Sequence, residues 1–312
     1  MEMLGADGTT VVTGGLGFIG RWVIETLLAR GERVLVLDRV ACELEHPLLS
    51  SRTVTFEGEA ELIAALAGTT ALRVIHLVGG RSVGPDSLIA NVRANVEPTI
   101  AMISLAAKLP MASFVLASTG EVYGDLGPSF VESMIPRPMS PYGVSKWMAE
   151  AAVLGAWSAL GFPGVVARIG VVYGAGQENP AMFVPQLLGA IREQKPFAMS
   201  PGDQTRDFVF VADAAEALVR LSACPSARGE IVNVGTGRDV AVGTFAEKLL
   251  ARASRPVALA RGALPYRAGE VMRYKLESEK LERLTGYTLP TDIDAGIDRT
   301  LSDDRPLRGL GK

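Results

Sequence analysis

The sequence predicts an α/β fold, a doubly wound parallel sheet with a smaller C-terminal lobe. Three observations lead there. The apolar run Val11-Val12-Thr13 turns through Gly14, Gly17 and Gly20 into a segment whose apolar residues recur at helical spacing. Short apolar runs and helical periodicities then alternate through the first half, as repeated βα units do when helices cover both faces of a parallel sheet. After Gly174 that regularity loosens, and glycines and prolines become frequent through Gly202.

The elements follow in order. The first helix is expected over residues 21–30. Val34-Leu35-Val36-Leu37 is the second strand and ends in Asp38. Thr53-Val54-Thr55-Phe56 is a short strand candidate, and residues 61–66 a short helix. Residues 73–78 read as a buried strand followed by Gly79-Gly80. One long helix is expected over residues 88–108. Phe114-Val115-Leu116-Ala117 is the next strand. Residues 141–160 form a helix with Pro141 at its start, where a missing N–H costs no helical hydrogen bond. Residues 165–169 are strand-like. Later helices are expected over 182–192, 213–222 and 244–253, with a strand over 231–234. Residues 301–312 read as a loosely held tail. Residues 1–174 are therefore expected to form one domain, to which parts of 205–240 return. Residues 175–312 mainly form the second lobe.

Composition narrows the function classes. The 312 residues are 48% hydrophobic and carry a net charge of −3. That charge offers no case for a nucleic-acid or membrane-surface partner. The two cysteines, Cys42 and Cys224, lack metal-ligand or redox spacing, so no metal site is expected. Met1 to Asp7 contains no basic segment followed by an apolar one, and no apolar run spans a bilayer. The expected compartment is the cytoplasm.

The glycine turn carries the first chemistry. Gly14 lets the chain turn sharply. Gly17 removes side-chain bulk where backbone meets a pyrophosphate. Gly20 lets the helix pack close to the strand. The N–H groups of the first helical turn then face the phosphates. A glycine turn also serves simply to join strand to helix. Here Asp38 ends the next strand about 20 residues on, where a carboxylate binds ribose hydroxyls. It repels a 2′-phosphate and so favours NAD, although the neighbouring Arg39 is a residue type that accepts one.

Tyr142 and Lys146 carry the second. Four apart on a helix, they share a face. A nearby ammonium favours the phenolate of a tyrosine that otherwise titrates near pKa ~10. Such a tyrosine takes a proton from a substrate hydroxyl. The same spacing alone also marks a solvated helix face. Thr119 follows a buried strand, and its hydroxyl both donates and accepts. It either meets a substrate oxygen or satisfies its own turn.

Thr13-Gly14-Gly15-Leu16-Gly17-Phe18-Ile19-Gly20, with Ser118-Thr119-Gly120-Glu121-Val122-Tyr123-Gly124 and Tyr142-Gly143-Val144-Ser145-Lys146, resembles the extended short-chain dehydrogenase/reductase family. More narrowly, the chain resembles the nucleotide-sugar epimerase/dehydratase branch, over nearly its whole length. The resemblance implies a Rossmann-type fold, NAD as cofactor and a nucleotide-sugar substrate. It implies Thr119, Tyr142 and Lys146 as the catalytic set. Glu121 is a second base, a sugar ligand or a purely local partner. Cofactor contacts are implied for Gly14, Gly17, Phe18, Ile19, Asp38 and Arg39, and for Glu59 at the adenine. They extend to Leu77, Val78, Gly79, Arg81, Asn95, Ala117, Tyr142, Lys146 and Ile169. His76 reads as a packed core residue.

Arg206 and Arg267 match arginines that hold the substrate diphosphate. Val171 stands where the family often has a phosphate-contacting asparagine, and Asn179 is the nearby replacement candidate. Family dehydratases place Asp-Glu after the threonine. Gly120 replaces that aspartate, so dehydration by that scheme is not expected. The implied activity is C4 epimerisation by oxidation to a keto-sugar and re-reduction. The alternatives are a keto-sugar reductase, a decarboxylase or a dehydratase. A non-catalytic NAD(P)-sensing or scaffold protein is the reading from another class, and such relatives usually lose the tyrosine or lysine. Relatives dimerise through two long helices, matched here by residues 88–108 and 141–160.

Overall fold

The computed structural model describes residues 8–69, 72–84, 86–105, 108–267 and 269–302. The segment 1–7 and most of the expected tail, 303–312, lie outside the described residues.

Apolar runs become strands because β-branched residues suit an extended chain buried on both faces. In chain order the strands are β1 (Thr9–Thr13), β2 (Arg33–Asp38), β3 (Leu49–Thr53), β4 (Leu72–His76), β5 (Met111–Thr119), β6 (Gly164–Ile169), β7 (Val171–Tyr173), β8 (Phe197–Met199), β9 (Thr205–Arg206), β10 (Phe208–Phe210), β11 (Ile231–Val234), β12 (Val240–Ala241) and β13 (Leu259–Arg261). The helices are α1 (Phe18–Ala29), α2 (Glu59–Ala65), α3 (Ser87–Asn95), α4 (Glu97–Ser104), α5 (Pro141–Leu160), α6 (Phe183–Glu193), α7 (Val211–Ser222), α8 (Val242–Arg252), α9 (Glu279–Thr285) and α10 (Ile293–Ser302).

Seven strands form one parallel sheet in the order β11-β6-β5-β4-β1-β2-β3. Val23, Ile24 and Leu27 of α1 pack with Ala214 and Leu218 of α7 over one face. Met102 of α4 and Ala149 and Val153 of α5 cover the other. The fold is therefore the predicted doubly wound α/β sheet. Beyond Gly174 the chain makes short pairings, β7 with β10, β9 with β12 and β8 with β13. Phe245 stacks on Phe208 at 4.2 Å and meets Tyr173 edge-on at 5.1 Å, centring a separate small core.

Two elements differ from expectation. The third strand is Leu49–Thr53 instead of residues 53–56. Its register against β2 ends at Asp38 opposite Thr53, and Phe56 turns the chain away with a positive φ of 66°. As an edge strand it carries Ser50, Ser51 and Arg52, so it has no apolar signature. The long helix expected over 88–108 is two helices that break at Val96. Pro98 has no N–H for the preceding turn and its ring crowds the carbonyl four residues back. Residues 106–107 of that stretch lie outside the described residues. α5 matches expectation. Ser140 Oγ caps it by accepting from Gly143 N at 3.0 Å, and Gly161, at φ 67°, ends it.

Candidate active site

The sheet reverses its winding between β1 and β4, since successive strands run outward from each in opposite directions. Ligands of doubly wound sheets bind at such a switch point, beyond the carboxyl ends of the strands. Here the glycine loop after β1 faces the exit of β4. Gly14 has φ 67°, and a Cβ on it would lie 2.8 Å from Val78 N. A Cβ on Gly20 would lie 2.5 Å from the carbonyl oxygens of both Gly14 and Gly15. Neither position admits a side chain, so the loop forms a backbone cradle. Gly17 is exposed at the N-cap of α1, with Phe18 and Ile19 opening the helix. Asp38 accepts from Leu16 N at 3.0 Å and from Arg39 N at 2.7 Å, tying the tip of β2 to the glycine loop. A cradle that side chains would fill, open helix N–H groups and a carboxylate beside them fit a dinucleotide.

The exit of β4 lines the same crevice. Val78 is buried, Leu77 half-buried and Gly79 exposed. A Cβ on Gly79 would lie 2.5 Å from Asn95 Oδ1 and 3.6 Å from Lys146 Nζ. Asn95 braces this loop by accepting from Gly80 N at 3.1 Å and donating to Gly80 O and Ser145 Oγ, both at 2.9 Å. Ala117 lies on β5, and Ile169 ends β6. Glu59 opens α2 and pairs with Lys108 at 2.6 Å on the surface. His76 is fully buried between Thr13 Oγ1 at 2.8 Å and Thr99 Oγ1 at 3.2 Å, and burial pushes its imidazole down to about 3. It is a neutral core residue, as its strand position implies.

Thr119 ends β5, and α5 brings Tyr142 and Lys146 to the same end of the sheet. Thr119 Oγ1 accepts from Glu121 N at 3.2 Å, and its hydroxyl also meets the phenol of Tyr274. Arg81 lies over the Tyr142 ring, 5.0 Å from its centroid, and pairs with Glu121. Glu121 also accepts from Ser140 Oγ at 3.1 Å. Burial pushes the Tyr142 phenol well up; the Glu121 charge adds to this and Arg81 opposes it. Burial pushes the Lys146 ammonium down to about 8, with Glu150 opposing. From the sequence, Lys146 is expected to draw the phenol down. In the structure the cation acting on it is Arg81, which the resemblance had assigned to the cofactor. A buried phenol with a carboxylate beside it needs further positive charge before it serves as a base near neutral pH.

A model of the NAD-dependent epimerase/dehydratase family matches residues 10–235. The chain belongs to this family. It is 29% identical to a putative UDP-glucose 4-epimerase of Methanocaldococcus jannaschii, over 94% of this chain and 97% of that protein. It is 33% identical to a dTDP-6-deoxy-L-talose 4-dehydrogenase (NAD(P)(+)) of Kitasatospora kifunensis, over 83% of this chain and 84% of that protein. The solved structure of MoeE5 in complex with UDP-glucuronic acid and NAD is 28% identical. It superposes with a TM-score of 0.85 and covers 94% of this chain and 98% of that one. The protein is thus an enzyme of the NAD-dependent epimerase/dehydratase family, and NAD is its cofactor.

Set within this family, the remaining geometry has two points of note. First, Gly120 is pressed against Tyr274: a Cβ there would lie 2.2 Å from the Tyr274 hydroxyl oxygen and 3.0 Å from Leu276 Cδ2. Tyr274 is only 4% exposed. The volume beside residue 120 is thus filled by a phenol, which burial and Glu121 hold neutral. Second, Arg206 is held by the protein itself. It donates to Thr205 O at 2.6 Å and Val271 O at 2.8 Å, pairs with Glu270, and lies over the Tyr274 ring at 5.8 Å. Arg267 is exposed three residues before Glu270, so the fold brings the two distant arginine segments to one turn. Val171 is paired opposite Phe208. Asn179 is exposed, and its Oδ1 accepts from Ala181 N at 3.0 Å ahead of α6.

Sequence reasoning missed Tyr274, Ser140, Asp207 and the Glu150–Arg168 pair. Asp207 is fully buried and accepts from Thr236 N at 2.8 Å, Gly237 N at 3.2 Å and Leu276 N at 3.2 Å, stitching β9–β10 to the segment that carries Tyr274. Burial pushes its carboxyl up to about 6 against those donors. Ser140 carried a legible signal, since Ser-Pro before an apolar periodicity is a capping pattern. Tyr274 carried none, because its partners are all remote in sequence.

Proposed function

We propose that the protein is a nucleotide-sugar 4-epimerase that uses its NAD internally. Gly120 is the observation that carries this reading. No acid stands where the family's dehydratases carry an aspartate, and Tyr274 fills the space. The set needed for oxidation and return at one carbon, Thr119, Tyr142 and Lys146, shares one end of the sheet. The putative 4-epimerase among the relatives supports it.

The glycine loop, Asp38 and the β4 exit hold the dinucleotide, whose chemistry is to accept a hydride and give it back. Tyr142 takes the proton of the sugar hydroxyl and later returns it. Thr119 donates its proton to the same oxygen. Lys146 would hold the nicotinamide ribose, and the oxidised ring would add its positive charge to that of Arg81 against the burial and Glu121 charge that raise Tyr142. The keto-sugar turns and is reduced on its other face.

We assign the substrate diphosphate to Arg206 and Arg267. One edge of Arg206 is committed to the Thr205 and Val271 carbonyls, so phosphate oxygens compete with Glu270 for the other. Residues 175–312 then form the substrate lobe and residues 1–174 the cofactor domain. Parts of 205–240 return to the latter, as α7 against α1 and β11 beside β6 support. Ile89, Ile100, Trp147 and Met148 are exposed apolar side chains on α3, α4 and α5, and a second copy of the chain covers them in a homodimer. No described helix is long and apolar enough to cross a membrane, and we place the enzyme in the cytoplasm, where its free Cys42 and Cys224 stay reduced.

The test is a panel of UDP- and dTDP-linked hexoses with purified enzyme. A C4 epimer formed without net nicotinamide reduction is expected. A 6-deoxy-4-keto product, or stoichiometric nicotinamide reduction, would replace the epimerase with a dehydratase or dehydrogenase.

A further inference from the structure

One helical turn beyond Lys146 on α5 stands Glu150. Its carboxylate takes Arg168 Nε at 3.1 Å and Nη2 at 2.7 Å, and also accepts from Ser118 Oγ. Both members of the ion pair are about 1% exposed. Arg168 lies over the Tyr123 ring, 4.6 Å from its centroid, and its Nη1 has no hydrogen-bond partner among the described residues. Ser118 and Arg168 face each other in register on β5 and β6, and each directly precedes a residue of the crevice, Thr119 or Ile169.

A buried ion pair is poor value for stability alone, because desolvation offsets its attraction. Apolar residues already join α5 to this sheet through Ala149 and Val153. What the carboxylate changes is the charge around Lys146, which is itself only 5% exposed. Among the described residues, the other titratable groups around this end of α5 do not balance it. Tyr142 on α5 is neutral, His76 on β4 is neutral, and Arg168 on β6 is a cation. Arg81 in the β4–α3 loop is paired with Glu121. Asn95 and Ser145 supply only dipoles.

We propose that Glu150 is the counter-charge that keeps Lys146 protonated, fixed in place by Arg168 and Ser118. It is a positioning residue that acts on the cofactor through Lys146. The proposal rests on the assignment of Lys146 to the nicotinamide ribose.

The experiment is NAD affinity by calorimetry as a function of pH, for wild type and Glu150→Gln. Wild-type affinity is expected to fall as pH rises through about 8, where burial has already brought the ammonium. In Glu150→Gln the break should move down by about one pH unit or more, a tenfold change in proton affinity. Below both breaks the two proteins should bind NAD alike. A purely structural Glu150 would weaken binding equally at every pH or lower the melting temperature, leaving the break in place; that result overturns the proposal. Should Glu150→Gln not fold, Glu150→Gln/Arg168→Gln leaves no unpaired buried cation and carries the same test, its break still expected below that of wild type. A wild-type profile with no break removes Lys146 from the cofactor, and the proposal with it. A wild-type break with an unmoved variant break defeats only the role of Glu150.

Discussion

Gly120→Ala is the sharpest structural perturbation available at this site. The added methyl carbon would lie 2.2 Å from the Tyr274 hydroxyl oxygen, 2.9 Å from its Cζ and 3.0 Å from Leu276 Cδ2. Ordinary contact needs roughly 3.5 Å, so the phenol must retreat by more than an ångström. It has nowhere to go. Tyr274 meets Phe130 edge-on at 5.6 Å, and Phe130 is stacked on Tyr123 at 4.9 Å. Overpacking of this kind costs about 1–3 kcal/mol, and three tight contacts place the expected cost in the upper half of that range. The φ of Gly120 is not in the left-handed region, so no backbone strain adds to it. The assay is urea unfolding of the single variants and of the double variant with Tyr274→Ala. With the ring gone, the cost of Gly120→Ala should fall below about 1 kcal/mol, a coupling of roughly 1–3 kcal/mol. A neutral Gly120→Ala, or the same cost in both backgrounds, would refute the claim that Tyr274 fills this space. An acid at position 120 would then have room.

Other expectations follow from the same geometry. Tyr142→Phe should bind NAD normally and lose turnover by about three orders of magnitude or more, read as kcat; unchanged kcat removes Tyr142 as the base. Asp38→Ala should weaken NAD binding and narrow its preference over NADP, because the carboxylate also anchors Leu16 N of the glycine loop; calorimetry with both cofactors decides it. Arg206→Ala should raise KM about tenfold with little change in NAD affinity, and Arg206→Lys should not restore it. A normal KM in both variants would mean that the diphosphate binds elsewhere. Trp147→Glu should convert a light-scattering dimer to a monomer without lowering secondary structure, and a monomeric wild type at micromolar concentration would dismiss the proposed interface.

Local signals were read well where one element carried the whole pattern. The glycine turn works through backbone conformation, which residue type alone determines, so the positions of Gly14 and Gly20 were legible. α5 was legible because Pro141 marks its start. The third strand was not, since an edge strand such as β3 has polar residues on its open side. The break at Val96 was missed because an apolar periodicity continues across Pro98. The site divided the same way. Thr119, Tyr142 and Lys146 sit in short motifs. The contacts that set their charge, Arg81 over Tyr142 and Glu121 beside it, and the wall formed by Tyr274, depend on how distant segments fold together. That is also why Lys146 was expected to control Tyr142, whereas the structure gives that position to Arg81 and Glu121.

The most direct test of the central claim uses a UDP-hexose carrying deuterium at C4 of the sugar, incubated with purified enzyme and its bound NAD. Internal oxidation and return by the Thr119–Tyr142–Lys146 set predicts a C4 epimer that keeps the deuterium at C4, with no net nicotinamide reduction. Loss of the label to solvent in the epimer would contradict that account, as would a product that has lost water.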